Sequence, residues 1–400
     1  MADILRGSSS IEDQELMAHI AMALRLENVA VLLGSGASVV AGGETISGLW
    51  NGLREREGPA LDAMAEAGFF EHGTTPNIEE LIGCLEIAIA DGTRRGEDTA
   101  LIAGWRNVLR RAVIRAARLS EELWQHRATK ESHRLLTPYL RMLAKLQASR
   151  QPGQSAPWMF TTNYDLTVEW AAEGVGLHLV NGFIGLHDRK FQSNAFDLNL
   201  KNAFATGEAR FGSYNLNLIK VHGSLNWIVK DDGDVQEVSC QAVNERLKEY
   251  VDGAAEDFPS LMIHPSAAKY LDTAGFIYGE LVRRFTDFLS RPNSVLLVVG
   301  YGFNDAHINS VIASGLLNPT LQLIIYYPEF HQLVGTTANE FINQILRLGL
   351  PRVIIRGGGP AAYFDRFVAE LPDPALVDEL SPEIRRLLLQ WARNAPGDAA

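Results

Sequence analysis

Four polar segments of the chain each follow an apolar run that is typical of a buried parallel strand. The segments are Gly34–Ser38, Thr162–Asp165, His222–Ser224 and Gly300–Asp305. Parallel sheets bind ligands beyond the carboxyl ends of their strands, so these segments are predicted to line one cleft. The cleft would bring together an amide, a carboxylate and an imidazole. Such a set can orient a water molecule or a hydroxyl group and accept a proton from it near neutral pH.

The first segment, Gly34-Ser35-Gly36-Ala37-Ser38, is a loop of small residues after the run Val29–Leu33. Glycine permits positive φ and has no Cβ, so backbone N–H groups in such a loop can point at an anion such as a phosphate. A tight turn between a strand and a helix would use the same residues, and short glycine motifs recur by chance. The loop alone leaves both interpretations open.

The other three segments also have a structural interpretation. Asn163 and Asp165 could cap the next helix, and Asp305 is predicted to cap the helix that begins at Ala306. His222 could be a hydrogen-bonded histidine at the end of a strand. Their shared position at strand ends, rather than any single residue, favours a nucleotide cleft.

Short strands alternate with helical patterns, which predicts an α/β fold with a doubly wound, parallel, Rossmann-like sheet. The predicted strands are Val29–Leu33, Trp158–Thr161, Leu218–Val221, Leu261–Ile263, Val295–Val299, Leu321–Tyr326 and Val353–Ile355. The predicted helices include Tyr278–Leu289, Ala306–Leu316 and Asn339–Leu348. Ser47 is predicted to cap a helix that carries Trp50 and Leu53. The segment Asn181–Tyr214 fits neither period and is predicted to be a long functional loop.

The middle of the N-terminal half lacks strand-like runs and is rich in alanine, leucine, arginine and glutamate. Apolar residues there keep helical spacing, which predicts a helical insertion that covers one side of the sheet. The C-terminal end has one more helical pattern around Pro382–Trp391, followed by a frayed tail. The predicted organisation is a sheet domain of residues 1–57 and 151–370, a helical insertion of residues 58–150, and a C-terminal helix and tail of residues 371–400.

Two features of the predicted insertion concern partners. Its apolar residues, including Phe69, Phe70, Trp105 and Trp124, exceed what a solvent-exposed appendage needs. The insertion is therefore predicted to supply the interface of a homo-oligomer. Five arginines at helical spacing could form a basic stripe, either a solvated face or a surface for nucleic acid or a protein partner. These arginines are Arg106, Arg110, Arg111, Arg115 and Arg118.

The composition limits the class of protein. Acidic residues outnumber basic ones by 48 to 36, which gives a net charge of −12 and disfavours broad binding to nucleic acid. We find no signal peptide and no apolar run of transmembrane length, so a soluble, cytoplasmic protein is expected. Two cysteines, Cys84 and Cys240, cannot form a disulfide framework or a four-cysteine zinc site.

Taken in order, the four polar segments resemble the motifs of the sirtuin (silent information regulator) family. They are most similar to its prokaryotic sirtuin-like branch, which is found in antiphage systems. The stretch Leu261–Pro265 and Lys269 also resemble that branch. The resemblance covers roughly Val29–Leu53 and Trp158–Ile355 and does not extend to the helical insertion.

The resemblance implies that NAD+ is the substrate and assigns roles around it. Asn163 would face the nicotinamide ribose and the attacking water, Asp165 would hold the nicotinamide end, and His222 would be the general base. The diphosphate and ribose would be lined by Gly34, Ser35, Gly36, Ala37 and Ser38, with Thr162 in the same binding set. The adenosine side would be held by Gly300, Gly302 and Asn304.

The sequence departs from protein-deacylating sirtuins on the peptide side. Those enzymes have a zinc ribbon of paired cysteines after the histidine, where this chain has only Cys240. The chain has no counterpart of their Phe-Gly-Glu strand, and Glu44–Ser47 replaces the Pro-Asp-Phe-Arg run of their cofactor loop. With no acyl-lysine competitor, water is the natural acceptor. The resemblance therefore favours a zinc-free NAD+ hydrolase that releases ADP-ribose and nicotinamide.

Control of such an activity is expected to involve assembly or a partner, because unrestrained hydrolysis of NAD+ would kill the host. The resembling branch acts in antiphage defence and pairs with a HerA-type ATPase or another defence protein. The ATPase would be a separate chain, since no Gly-Lys-Ser/Thr phosphate loop occurs here. The alternatives are a protein deacylase or ADP-ribosyltransferase, a non-catalytic NAD or ADP-ribose sensor, and a subunit that acts on nucleic acid.

Overall fold

The computed structural model describes residues 3–125, 129–150, 154–198, 215–230, 233–255, 261–262 and 273–373. The strands are β1 (Ile4–Arg6), β2 (Ser9–Ser10), β3 (Asn28–Leu33), β4 (Trp158–Thr161), β5 (His178–Val180), β6 (Phe183–Ile184), β7 (Arg189–Phe191), β8 (Asn215–Lys220), β9 (Gly223–Ser224), β10 (Trp227–Val229), β11 (Val235–Glu237), β12 (Leu261–Met262), β13 (Ser294–Val299), β14 (Leu321–Tyr326) and β15 (Val353–Arg356). The α-helices are α1 (Asp13–Ala23), α2 (Ser35–Ser38), α3 (Ile46–Glu66), α4 (Ile78–Arg95), α5 (Ala100–Arg118), α6 (Lys130–Ala148), α7 (Thr167–Val175), α8 (Cys240–Val251), α9 (Thr273–Leu289), α10 (Ala306–Gly315), α11 (Glu340–Leu348) and α12 (Phe364–Glu370). Short 3₁₀ helices are formed by Val39–Ala41, Glu121–Trp124, Ser193–Asp197 and Gly359–Ala362.

The main sheet has nine strands in the order β2-β1-β15-β14-β13-β3-β4-β8-β5. All strands from β15 to β5 are parallel, and β1 and β2 extend the edge with antiparallel pairings. From β3 the chain adds β4 and then β8 on one side, whereas β13, β14 and β15 lie on the other. The order of strands therefore reverses between β3 and β13, which is the switch point of the sheet. The prediction of an α/β fold with a doubly wound, Rossmann-like sheet is confirmed.

The central strands are apolar because both of their faces are covered. Val29, Val31 and Leu33 of β3 belong to a core layer that includes α5 and α6, two of the helices between β3 and β4. Ala30 and Leu32 point the other way, into a layer formed with α9 and α10. This alternation is what the two-residue period of a strand requires.

Most of the predicted strands and helices agree with the structure, but one predicted strand belongs to a different sheet. The predicted strand Leu261–Ile263 is not part of the parallel sheet. Its residues Leu261 and Met262 pair antiparallel with β9 in a separate two-stranded sheet. Ile263, the stretch up to Pro265 and Lys269 lie outside the described residues.

The predicted loop Asn181–Tyr214 is more regular than expected over its first part. There, β6 and β7 join β10 and β11 in a four-stranded antiparallel sheet. Aromatic contacts hold it, with the ring centroids of Phe183 and Trp227 4.9 Å apart. The strands have only two or three residues each, so the sequence shows no alternating pattern there. Residues 199–214 lie outside the described part.

The helix after the glycine loop begins two residues earlier than predicted. Thr45, not Ser47, is its N-cap, and the Thr45 hydroxyl accepts a hydrogen bond from the Gly48 N–H at 3.1 Å. The helix continues to Glu66 with a non-helical residue at Glu57, two positions before Pro59. Proline lacks the N–H that a continuous helix would use, so a kink is expected there.

The four aromatic residues that suggested a subunit interface pack within the chain. Trp105 and Trp124 are buried, and the rings of Phe69 and Phe70 contact Trp105 and Trp50, respectively. The predicted division into domains stays a prediction, and the C-terminal helix around Pro382–Trp391 lies outside the described residues. Within the part of the chain that the structure describes, no helix is long and apolar enough to cross a membrane.

Candidate active site

The carboxyl ends of β13, β3, β4 and β8, four neighbouring strands, open into one cavity of about 490 Å³. This volume lies in the range of small-molecule sites. The predicted residues that line the cavity are Ser35, Ser38, Thr162, Asn163, Asp165, His222, Gly302 and Asn304. Four other predicted residues, Gly34, Gly36, Ala37 and Gly300, lie behind this lining, where two of the loops meet.

Residues Ser35–Ser38 of the predicted glycine loop form a single helical turn, α2, rather than an irregular loop. This segment and the loop after β13 touch backbone to backbone. A Cβ on Gly34 would lie 2.5 Å from the Gly300 carbonyl oxygen and from the Cα of Tyr301. Gly300 has a φ of +69°, and a Cβ there would lie 2.3 Å from the Ala37 nitrogen. Both positions therefore require glycine. The contact joins the predicted diphosphate side of the site to the predicted adenosine side.

Several N–H groups of the glycine loop are used inside the protein. The N–H of Gly34 donates to Val299, that of Gly36 to Gly300, and that of Ala37 to Gly34, with N–O distances of 3.1, 2.9 and 3.0 Å. The sequence suggested that such groups would point at an anion. These three are not free to do so, because Gly34 and Gly36 bind the end of β13 and Gly300, and Ala37 closes a turn on Gly34.

Ser38 is the central hydrogen-bonding residue of the site. Its side chain is buried, and its Oγ donates to Oδ2 of Asp165 at 2.6 Å. Nδ2 of Asn163 donates to the same Oγ at 2.9 Å and to the Gly34 carbonyl at 3.0 Å. Among the described residues, no hydrogen bond reaches Oδ1 of Asn163. That oxygen is therefore available to accept a hydrogen bond from a water molecule or a ribose hydroxyl.

Asp165 stabilises the start of α7 and also lines the cavity. Its Oδ1 accepts from the backbone N–H and the hydroxyl of Thr167 at 3.0 and 2.6 Å, at the start of α7. The ammonium of Lys220, a residue only 2% exposed at the end of β8, donates to the Asp165 carbonyl and pairs with Glu169 at 2.9 Å. Burial raises the pKa of Glu169, although Lys220 opposes the shift. Lys220 was missed, although a lysine that ends an apolar strand is a visible signal.

His222 is 3% exposed and lies between two carboxylates. Its Nε2 is 2.9 Å from Oδ2 of Asp305, and its Nδ1 is 3.5 Å from Oε2 of Glu79. Burial alone would lower the pKa of His222, but Glu79 and Asp305 outweigh burial and raise it to about 10. The sequence led us to expect a histidine that titrates near neutral pH, and the pKa of His222 in the structure is higher than that. At neutral pH the imidazole of this arrangement is protonated.

Asp305 caps α10, as predicted. Its Oδ1 accepts hydrogen bonds from the N–H groups of His307 and Ile308 at 2.8 and 3.1 Å. Its other oxygen faces His222. Burial raises the pKa of Asp305, and the bond and charge of His222 outweigh this and lower it. The residue thus combines the structural role and the site role that the sequence left as alternatives.

The segment between β3 and β4 supplies one wall of the cavity through Thr75–Glu80 and the end of α5. Sequence reasoning missed Glu79 as a site residue. Asn77 with two glutamates at the second and third positions after it does signal the start of a helix, and Asn77 caps α4 by accepting from the Glu79 N–H at 3.0 Å. Nothing in the sequence indicated that this helix begins beside His222.

The arginine stripe faces other parts of the same chain. Arg111, Arg115 and Arg118 donate hydrogen bonds to residues of α8. Arg110 pairs with Glu86 of α4. Burial lowers the pKa of Arg106 and Arg115. Little of this charge is therefore left for a phosphate backbone, which weakens the nucleic-acid alternative.

Across the described residues, no group of three or more histidine, cysteine, aspartate or glutamate side chains is arranged to hold a metal ion. Cys84 is an exposed residue of α4, and Cys240 begins α8. Both are free thiols.

Residues 157–321 match the model of the SIR2-like domain family. The match runs from the start of β4 to the start of β14 and includes Asn163, His222 and Asp305, but not the glycine loop after β3. No curated protein matches the chain. The fold and this match support a sirtuin-like protein, in a family whose members are typically NAD-dependent enzymes.

The contact between the two loops predicts a large effect of Gly34→Ala. The added methyl group would meet backbone atoms that cannot rotate away, so we expect a loss of about 1–3 kcal/mol in the free energy of unfolding. Denaturant unfolding followed by circular dichroism measures it. Gly279→Ala is the matched control, because Gly279 lies within α9 and a methyl group added there meets open space among the described residues. We expect that control to gain about 0.5–1 kcal/mol; equal stabilities of the two variants would contradict the interpretation.

Proposed function

We propose that the chain is an NAD+ hydrolase, which converts NAD+ and water into ADP-ribose, nicotinamide and a proton. The main support is the meeting of Asn163, His222 and Asp305 in one cavity at the carboxyl edge of the sheet. All three lie within the segment that matches the SIR2-like domain family. A concave site with convergent polar groups near a switch point is also the usual position of a nucleotide in such a sheet.

The proposed arrangement of NAD+ follows the loops around the cavity. The adenosine side would lie against Gly302 and Asn304, which are exposed at the end of β13. The diphosphate and the nicotinamide ribose would follow Ser35 and Ser38. The nicotinamide end would then reach Asn163, together with Thr162 and Asp165.

The proposed reaction breaks the bond between C1′ of the ribose and the ring nitrogen of nicotinamide. The bonding electrons leave with nicotinamide, which becomes neutral, and the ribose becomes oxocarbenium-like. Water then adds to C1′ and loses a proton. Carboxylates near a developing cation stabilise it. The residues that line the cavity include three carboxylates near the proposed position of the ribose, Glu79, Asp165 and Asp305.

Asn163 and His222 would divide the remaining work. Oδ1 of Asn163 would orient the water or a ribose hydroxyl, and the imidazole would accept the proton. Acceptance requires the neutral imidazole, whereas its pKa is raised to about 10. At pH 7 only about a thousandth of the molecules would carry a neutral imidazole. A low basal rate suits an enzyme whose substrate the whole cell needs.

Water is favoured over an acyl-lysine peptide as the acceptor. The backbone that follows His222 forms β9, and β9 is paired with β12 of the same chain. One edge of this strand is therefore occupied without a peptide. The alternatives are deacylation, ADP-ribosyl transfer and non-catalytic sensing of NAD, and all of them would use the cofactor side of the cavity. Analysis of the reaction products separates them from hydrolysis.

The proposed biological role rests on the resemblance to the antiphage branch. The chain would be the effector of a bacterial antiphage defence system in the cytoplasm. Its partners would be further copies of itself and a separate HerA-type ATPase or another defence protein. Incubation of the purified chain with NAD+, with and without the product of the neighbouring gene, tests that regulation.

Asn163→Ala and His222→Gln are each expected to lower kcat for NAD+ cleavage by about 10²–10⁴-fold, because each removes a positioned group of the hydrolytic step. Chromatographic measurement of ADP-ribose and nicotinamide gives the rate, and circular dichroism checks the fold. His307→Gln is the control, since His307 is an exposed histidine in α10. Near-normal turnover by folded His222→Gln protein would rule out the proposed role of the imidazole.

Hydrolysis is expected to need no metal ion. The leaving group is already cationic in NAD+, so no Lewis acid is required to expel it. Dialysis against a chelator should leave the rate of nicotinamide release unchanged, and elemental analysis should find less than one zinc per chain. Full inhibition by the chelator that zinc restores would contradict this expectation.

The chain is proposed to form a homo-oligomer through the helices between β3 and β4. Their exposed apolar residues include Ile87 and Leu101, at 45% and 66% exposure. Multi-angle light scattering should give a multiple of the 44.0 kDa chain mass, and Leu101→Glu should lower it. Leu317→Glu is the matched control, because Leu317 is exposed after α10, away from these helices. A monomeric protein that is fully active on NAD+ would end this proposal.

A further inference from the structure

Glu79 is fixed in the cavity although it belongs to the helices between β3 and β4. It lies in the first turn of α4, and its N–H donates to the cap residue Asn77 at 3.0 Å. Its Oε1 accepts a hydrogen bond from the hydroxyl of Tyr164 at 2.7 Å. Its backbone and its side chain are thus both held, and its other oxygen, Oε2, is directed at His222.

Asp305 determines which nitrogen of His222 can accept a proton. The pKa of Asp305 is lowered, so its carboxyl group is ionised and Oδ2 can only accept a hydrogen bond from Nε2 of His222. Nε2 must therefore carry a hydrogen, and Nδ1 is the nitrogen available to a base mechanism. Nδ1 is buried and has no hydrogen-bond partner among the described residues. The nearest acidic group is Oε2 of Glu79, at 3.5 Å.

The charge of Glu79 acts directly on this nitrogen. A neutral Nδ1 would turn its lone pair towards a carboxylate oxygen, which is repulsive, whereas a protonated Nδ1 is attracted to it. The charged groups that face His222 are Glu79 from α4 and Asp305 from the loop after β13. The titratable neighbours Tyr164 and Tyr301 stay neutral, because burial raises the pKa of both phenols. The raised pKa of His222 agrees with this geometry.

We propose that Glu79 is a positioning residue that holds His222 in the protonated form and occupies the place from which water or a ribose hydroxyl would approach Nδ1. This inference rests on the proposed hydrolase function. The helices between β3 and β4 then restrain the enzyme through one side chain. A shift of the first turn of α4 would release the imidazole, since the Tyr164 hydrogen bond and the His222 ion pair link Glu79 to the strand ends of the sheet.

The test compares wild-type protein with Glu79→Gln, which keeps the shape and removes the charge. Glu66→Gln is the control, because Glu66 is an exposed glutamate at the end of α3 and is not part of the cavity lining. The pKa of His222 is measured by NMR of imidazole Cε1–H, with the signal assigned from its loss in His222→Gln. We expect the pKa to fall by at least one unit in Glu79→Gln and to stay unchanged in Glu66→Gln.

The pH dependence of kcat/KM for NAD+ cleavage is measured for the same variants. Activity should rise with pH as His222 loses its proton, and this rise should occur at lower pH in Glu79→Gln. At pH 7 the rate should then increase about tenfold for each unit by which the pKa falls. Tyr164→Phe, which removes one anchor of Glu79, should shift both readouts in the same direction by a smaller amount. It also serves as the test if Glu79→Gln does not fold.

The outcomes separate this inference from the proposed function. An unchanged His222 pKa in Glu79→Gln would overturn the inference, even if the wild-type protein hydrolyses NAD+. So would a loss of activity in that variant at every pH with no shift of the profile. If the His222 pKa falls in Glu79→Gln but the wild-type protein never cleaves NAD+, the effect of Glu79 on His222 is supported. The proposed hydrolase function is then wrong.

Discussion

The site depends on the backbone contact between the loop that follows β3 and the loop that follows β13. These two strands flank the switch point, where the order of the sheet reverses and connections diverge on either side. A gap would normally open there. In this chain it is narrowed by Gly34 and Gly300, whose missing side chains allow carbonyl and amide groups of the two loops to touch. The glycines therefore bring the diphosphate and adenosine sides of the predicted site together, rather than only exposing N–H groups to an anion.

A hydrogen-bond network connects this backbone contact to the other polar residues of the site. Ser38, at the end of the glycine loop, binds both Asn163 and Asp165, and Lys220 holds the carbonyl of Asp165 from the next strand. Each of these polar side chains is buried, and each is paired, as buried polar groups must be to avoid a large desolvation cost. Because its Nδ2 is used on both Ser38 and Gly34, the amide of Asn163 is fixed in one orientation. A preorganised amide of this kind costs no reorganisation when the reaction begins.

The sequence was informative wherever the signal was local. Apolar runs identified β3, β13 and β14, and an aspartate before a helix identified the cap of α10. It failed where the determining contact was distant. The strands β6 and β7 are too short to show a period, and Phe183 of β6 packs against Trp227 of β10, which lies far along the chain. The pKa of His222 could not be read from the sequence either, because it depends on Glu79 and Asp305, which lie far from it along the chain. Glu79 was missed as a site residue for the same reason, whereas Lys220 was missed although its position at the end of an apolar strand was visible.

The topology explains why the helices between β3 and β4 are suited to control the site. Any segment inserted after a parallel strand leaves the sheet at its carboxyl edge, which is the edge where ligands bind. Its first helices therefore start beside the ligand, whatever their sequence. In this chain the kinked α3 leads away from the edge, and α4 begins beside it again with Glu79 in its first turn. A helix N-terminus tolerates a carboxylate well, so this glutamate stabilises α4 while it faces His222. One side chain can thus link the packing of the helices to the protonation of the imidazole.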